Sequence, residues 1–419
     1  MLKILPVDLK KSGMNYTNNN NQKVKISFTG DVMCEYTRLG DYYIDGKYDF
    51  TDLFSSCSGL FAESDYVVAN LETPIAGEKL KYSYKNYNFN TPESILTAMK
   101  KSGIDMVTTA NNHVLDRGIE GVDQTIAHIR KNGLDYVGSS TTGETPKPLI
   151  KNINGIKIAF LSYTYGTEAC YNHHYLKRKD QYRVNLLQNQ ELSKYHQRFI
   201  LKSKNIIAKG IRFILKRMNP KYFSKPVEEY KQSDGLQKRH LLNEIKYCRQ
   251  NNVDTIIMCL HSGGQFNDEP TKNTEQVVQF CLDHGIKTII CNHEHLIQKI
   301  DCLSDGIVAY CLGNYTSNYG IDRPPYDKEA QCSAVLHLYL IKGKQIEKEG
   351  VSFSLILSVK KQGKIVSIPL YDYYSQCDNN EEKEKLENLN IRCLERVLNR
   401  KISFDIEPQK EYFFSFFDN

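Results

Sequence analysis

The chain has 419 residues, of which 40% are hydrophobic, 25% charged and 11% aromatic, an ordinary globular usage that excludes a disordered, collagenous or coiled-coil protein. A formal net charge of +6, from 55 basic and 49 acidic residues, is too small to announce nucleic acid, and no nucleic-acid partner is expected. The longest apolar runs, such as Thr255 to Leu260, fall far short of the ~18 residues that cross a bilayer. No signal peptide follows the N-terminal lysines, so the expected location is cytoplasmic or peripheral at a membrane.

Met1 to Gln22 is polar and ends in Asn18-Asn19-Asn20-Asn21, which predicts a disordered tail. From Val24 onward, β-branched runs alternate with helical patterns. The predicted strands are Val24–Thr29, Tyr66–Ala69, Met106–Ala110, Tyr136–Gly138, Lys157–Tyr163, Thr255–Leu260, Thr288–Cys291 and Ile307–Cys311. Between them, Glu93–Ser102 and Gly121–Asn132 read as helices closed by Gly103 and Gly133. This alternation predicts an α/β fold with helices packed on sheets, spanning 23–340.

Leu187 to Gln237 loses the alternation and reads as a basic helical insertion, with Ile200, Ile207, Ile211, Ile214 and Met218 at helical spacing among lysines and arginines. Either that stripe packs on the parent domain, or the helix makes peripheral contact with a membrane or clamps an anionic polymer. Residues 341–419 read as a small C-terminal α/β extension, with a strand pair at Ser352–Val359 and Lys364–Pro369 and a charged helix at Glu381–Arg400. No catalytic constellation lies there. The twelve cysteines include no C-x-x-C and read as buried small hydrophobes, which favours a reducing compartment.

Chemistry concentrates at the strand exits. Gly30-Asp31 follows the first strand, Asn70-Leu71-Glu72-Thr73-Pro74 the second, and Asn111-Asn112-His113 with Asp116 and Gly118 the third. His261-Ser262-Gly263-Gly264 and Asn292-His293-Glu294-His295 end two later strands. Each cluster alone is ordinary turn chemistry; five together, where open α/β sheets bind ligands, form a constellation. Asp31, Glu72, Asn112, His261, His293 and His295 offer six N or O donors, too many for one tetrahedral site. Two divalent ions fit better, and imidazole with carboxylate and amide oxygen favours Zn, Mn or Fe over Ca. A shared glutamate would bridge ions ~3.5–4 Å apart that activate a water. His113 is placed to protonate a leaving group, and Asp116 to fix its tautomer. The G-x-S-x-G elbow and the phosphate-binding loop are both absent from the sequence, so neither a serine nucleophile nor P-loop chemistry is expected.

In this order, together with Val32-Met33 after Asp31 and with Leu312-Gly313-Asn314-Tyr315, the motifs resemble the CapA family of bacterial poly-γ-glutamate capsule biosynthesis proteins, within the calcineurin-like metallophosphoesterase superfamily. The resemblance covers residues 24–335 apart from the insertion. It implies a four-layer sandwich of two mixed β-sheets flanked by helices, with a dinuclear centre at the strand ends. Asp31 and His295 would hold the first metal, Asn112, His261 and His293 the second, with Glu72 bridging and His113 as general acid. Asn111, Arg117 and Asn314, inside the matched motifs, are expected to bind substrate. Three departures stand out: Met33 where the superfamily has histidine, Gln265 where the family has glutamate, and Asn292 and Glu294 flanking the histidine pair. The implied function is a metal-dependent hydrolase of capsule biosynthesis that takes an anionic polymer or a phosphoester. Two alternatives stay open: the same chemistry on an unrelated small phosphoester, and a non-catalytic, metal-stabilised subunit that binds or assembles polymer.

Overall fold

Val24, Ile26 and Phe28 are buried while Lys23 is exposed and Lys25 half-buried, so a period of two aims one apolar face of the leading strand inward. A computed structural model describes residues 4–6, 22–84, 88–141, 143–144, 147–188, 190, 235–304, 306–326, 329–343, 346–403 and 405–414. The predicted amphipathic helix around Ile200 to Met218 lies outside the described residues.

The strands are β1 (Ile4–Pro6), β2 (Gln22–Val32), β3 (Tyr43–Ile44), β4 (Lys47–Tyr48), β5 (Tyr66–Leu71), β6 (Met106–Thr108), β7 (Asp135–Val137), β8 (Leu149–Ile153), β9 (Ile156–Thr164), β10 (Thr255–His261), β11 (Thr288–Asn292), β12 (Ile300–Cys302), β13 (Ile307–Ala309), β14 (Asn314–Thr316), β15 (Cys332–Lys342), β16 (Ile346–Lys361), β17 (Lys364–Pro369) and β18 (Tyr412–Phe414). A ten-stranded sheet runs β1-β18-β16-β15-β2-β5-β6-β7, with β14 on β2 and β17 on β16. A six-stranded sheet runs β12-β13-β11-β10-β9-β8, and β3 pairs only with β4. In the first sheet β2, β5, β6 and β7 are parallel; in the second, β9, β10, β11 and β13 are. Six of the seven residues of β10 are buried, the continuous apolar run expected of a parallel strand covered on both faces.

The two sheets meet through Ile26, Phe28 and Val68 from one and Ile158, Phe160, Ile257 and Ile290 from the other. On its outer face the larger sheet packs Val67, Ala69 and Val107 against Leu53, Phe54, Phe61, Leu96 and Met99 of the helices Thr51–Ser55, Ser58–Ala62 and Ser94–Ser102. The smaller sheet packs Ile256, Met258 and Ile289 against Leu241, Ile245, Val278 and Cys281 of Gly235–Gln250 and Lys272–Asp283. The result is an α/β sandwich. Helix Ser94–Ser102 stops at Gly103 with φ +105°, and Gly133 follows helix Gly118–Lys131 at φ +67°, the left-handed stops that the glycines predict. All described cysteines are unbridged, and all but Cys302 and Cys377 are buried.

Two stretches join the sheet more closely than the sequence suggests. Ile4–Pro6, inside the expected tail 1–22, pairs antiparallel with β18. The expected boundary at 340 falls within β15, and β16 pairs along β15 from Cys332 opposite Leu357 to Lys342 opposite Ile346. Leu389, Cys393 and Val397 of helix Asn380–Leu398 enter the core between the sheets. Residues 341–414 therefore complete the larger sheet, covering an edge of β15 that would otherwise be long and unpaired.

His337 on β15 is buried opposite Ser27 of β2. Its Nδ1 lies 2.7 Å from Ser27 Oγ and its Nε2 3.1 Å from Ser354 Oγ. Burial, with the Lys25 charge adding to it, pushes its pKa down to about 3. A histidine held neutral in the fold stabilises it above the unfolded pKa near 6.5 and loses that contribution as pH falls toward 3. Between pH 7 and pH 5 the wild type should lose about 2 kcal/mol through this group; His337→Gln should lack that increment in denaturant titrations at the two pH values.

Candidate metal centre

Parallel strands of both sheets end on one side of the molecule and deliver polar side chains there. Asp31 closes β2, and its N–H donates to Gly313 O at 2.9 Å. Gly30 permits this contact, since a Cβ there would stand 2.0 Å from Gly313 O. Glu72 follows β5 and donates its N–H to Val32 O at 2.9 Å. His261 ends β10, Ser262 N–H donates to Asn292 O at 3.1 Å, and the turn after β11 holds His293 at φ +125° and His295 at φ +61°. Non-glycine residues in that region are strained, and such strain gathers at functional sites.

Two groups of donor atoms result. His261 Nε2 lies 2.8 Å from Asn112 Oδ1, 3.1 Å from His293 Nδ1 and 3.3 Å from Glu72 Oε1. His295 Nδ1 lies 2.8 Å from Asn314 Oδ1, 3.3 Å from Asp31 Oδ2 and 3.9 Å from Glu72 Oε2. Ligands ~2.0–2.1 Å from a tetrahedral ion stand about 3.3 Å apart, close to these separations. Glu72 thus gives one oxygen to each group. Every one of these residues is at most 3% exposed, and neither Glu72 oxygen nor Asp31 Oδ2 has a hydrogen-bond donor among the described residues. Buried carboxylates without partners are costly, and a divalent cation is the partner this donor set fits.

The electrostatics agree. Burial, then the Asp31 charge, raises the Glu72 pKa well above the usual carboxylate range. Burial would raise Asp31 too, but the neighbouring His295 and His261 imidazoles and the Asn70 amide outweigh it and hold the pKa low. Burial pushes His261 down to about 3 and, with the neighbouring imidazoles, takes His293 well below its ordinary value. Both rings are neutral near pH 7, the form that ligates metal.

His113 is buried beside the centre, with Nδ1 2.8 Å from Asp116 Oδ2. Asp116 also accepts from Phe89 N at 2.7 Å and Asn172 Nδ2 at 3.2 Å, and the Phe89 ring stands edge-on to the imidazole at 4.4 Å. Two residues expected at the substrate serve as braces. Asn111 donates to Leu71 O at 2.7 Å and accepts from His113 N at 3.1 Å, tying two strand exits together. Arg117 donates to Leu80 O, Lys81 O, Asp116 O and Asn88 Oδ1, clamping the loop ahead of Phe89. Glu294 is fully buried against Gly263, outside both donor groups. Met33 packs with Phe89, Leu296, Tyr319 and Ala330.

Other residues at the centre carry no histidine-type mark in the sequence. Glu168, at φ +49°, accepts from Tyr165 OH at 3.1 Å and from Asn112 Nδ2 at 3.5 Å. The Tyr165 ring lies 4.7 Å from that of His293, and Phe266 and Tyr319 lie 5.8 and 6.1 Å from that of His295. The exit of β9, Tyr165-Gly166-Thr167-Glu168, has the same glycine-plus-carboxylate mark as Gly30-Asp31, a signal that finds Glu168.

Residues 25–319 match the family model described as bacterial capsule synthesis protein PGA_cap. The chain is 25% identical over 309 residues to the capsule biosynthesis protein CapA of Bacillus anthracis, covering 72% of this chain and 62% of that one. It is 22% identical over 302 residues to the PGA biosynthesis protein CapA of Bacillus subtilis (strain 168), covering 71% and 64%. The match therefore spans less than two thirds of the length of these relatives.

Gly263 adopts φ +144°, and a Cβ there would lie 1.7 Å from Glu294 Oε1. Gly263→Ala should displace Glu294 and with it the histidines on either side, lowering metal affinity by about 10–100-fold. Metal titration followed by calorimetry, with circular dichroism to check folding, measures this; an unchanged affinity would show that the turn does not depend on the seat at Gly263.

Proposed function

The chain belongs to the bacterial capsule synthesis protein family, and from that premise we propose that it is a dinuclear-metal-dependent hydrolase acting on an anionic polymer of the poly-γ-glutamate type. The observation that carries the reading is Glu72, whose two oxygens face two separate donor groups. The succession of helices, ten-stranded sheet, six-stranded sheet and helices supports kinship with metallophosphoesterases. Residues Asp31 and His295 would hold one ion, Asn112, His261 and His293 the other, and Glu72 both. Two ions of Zn, Mn or Fe held there would supply Lewis acidity and a water of lowered pKa.

The protein's own groups do the rest. Asp116 fixes the His113 ring through Nδ1, which leaves Nε2 to give a proton to the leaving group. Asn172 and the Phe89 N–H hold Asp116 in turn, so the proton donor is oriented before substrate arrives. Tyr165, Phe266 and Tyr319 surround the histidines with aromatic surface, limiting water at the reacting group. The basic segment 187–237, mostly outside the described residues, would meet the polymer or an anionic membrane through its charge. Met33, committed to an apolar cluster, favours a second reading: a metal-stabilised subunit that assembles polymer without turnover. Among the described residues no helix is long and apolar enough to cross a membrane.

Elemental analysis of protein purified without chelator should find about two equivalents of metal, falling in His293→Ala. His113→Gln should keep the metal and lose about 10²–10⁴ in kcat on γ-glutamyl polymers or phosphoesters. No metal after reloading would sink the hydrolase reading, and wild-type polymer binding without turnover would transfer support to the assembly subunit.

A further inference from the structure

Asp31, Glu72 and His295 make the poorer of the two donor groups, and the residue two positions after Asp31 does not complete it. Met33 is 2% exposed, with its thioether among Phe89, Leu296, Tyr319 and Ala330. The neighbouring strand does reach the spot. Parallel pairing of β14 with β2 sets Asn314 beside Asp31, and strands ~4.7–4.9 Å apart bring such neighbours to one point.

Asn314 Oδ1 stands 2.8 Å from His295 Nδ1, the same nitrogen that faces Asp31 Oδ2 at 3.3 Å and Glu72 Oε2 at 3.9 Å. The amide is oriented by its other end, since Nδ2 donates to Ser317 Oγ at 3.2 Å, and that oxygen also accepts from Tyr319 N at 3.0 Å. In this setting the amide turns its oxygen, not its NH2 group, to the imidazole. Two acceptor atoms approach to 2.8 Å only around a proton or a cation. A single proton on Nδ1 cannot satisfy Asn314, Asp31 and Glu72 together, whereas a cation can. The second group repeats the arrangement, with Asn112 Oδ1 at 2.8 Å from His261 Nε2.

We propose that Asn314, through Oδ1, is a ligand of the ion held by Asp31 and His295, so that the neighbouring strand supplies the donor missing at Met33. This rests on the two-metal reading above. It makes that centre three oxygens to one nitrogen, while the centre of His261 and His293 has two of each. The oxygen-rich centre is the harder one and prefers Mn²⁺, and the nitrogen-rich centre prefers Zn²⁺.

Titration of metal-stripped full-length protein with Mn²⁺, read by calorimetry and by the Mn²⁺ paramagnetic resonance signal, tests the assignment. Wild type should bind at two sites. Asn314→Ala should weaken one of them by about tenfold or more and leave the other within about twofold. Asn314→Asp, which keeps an oxygen and adds charge, should tighten that same site beyond its wild-type affinity. Two sites of wild-type affinity in Asn314→Ala would overturn the proposal while leaving the two-metal reading intact. A wild type that takes up no Mn²⁺ or Zn²⁺ would overturn both. Should Asn314→Ala fail to fold, unchanged affinities at both sites in Asn314→Asp would overturn the assignment.

Discussion

Glu72 lies wholly inside the protein with neither oxygen hydrogen-bonded among the described residues, and a ligand atom of Asp31 lies within 4.8 Å of it. Two carboxylates that close cannot both ionise without a compensating charge, and an unpaired ion this deep costs several kcal/mol. The opposed pKa directions, Glu72 up and Asp31 down, express that conflict. A cation would relieve it, so metal binding would grow tighter as pH rises. The rest of the site is arranged around this one unfavourable burial. Imidazoles and amide oxygens surround the acids, and no lysine or arginine is among the donors.

Keeping such a cluster in place requires a scaffold that does not relax. Strand ends provide it, because Asp31 and His261 lie in a hydrogen-bonded ladder and Glu72 and His293 one residue beyond one. Gly30 lets β2 touch the backbone of Gly313, and Gly263 makes room for the buried Glu294 carboxyl between the two strained histidines. Asn111 and Arg117 tie loops to strand exits rather than reaching outward. The polar side chains nearest the centre therefore divide into donors that face it and braces that hold the donors still.

How much of this the sequence reveals follows from how local each signal is. Strand exits marked by glycine, histidine or acid can be read one strand at a time, and Asp31, Glu72, Asn112, His261, His293 and His295 do converge. Register between strands cannot be read that way. The pairing of Asn314 with Asp31 joins residues far apart in the chain, and the motif around Asn314 does not show it. The same holds for β1 with β18 and for β16 with β15, where pairings built by folding turn an expected tail and an expected extension into parts of one sheet. The clamp made by Arg117 is equally invisible in the sequence, because only folding brings the Leu80, Lys81 and Asn88 acceptors to it.

Charge across the centre also carries a direction. On the proposed two-metal reading, two divalent cations held by only two carboxylates would leave a positive surplus, and in a buried site that surplus would attract anions strongly. The surplus is uneven. Glu168 places a further carboxylate on the side of Asn112 and Tyr165, while on the side of His295 the rim is Phe266 and Tyr319, with the Arg323 guanidinium 5.1 Å from the Tyr319 ring centre. An anionic substrate of the proposed kind would therefore meet a carboxylate on one flank of the centre and aromatic surface on the other.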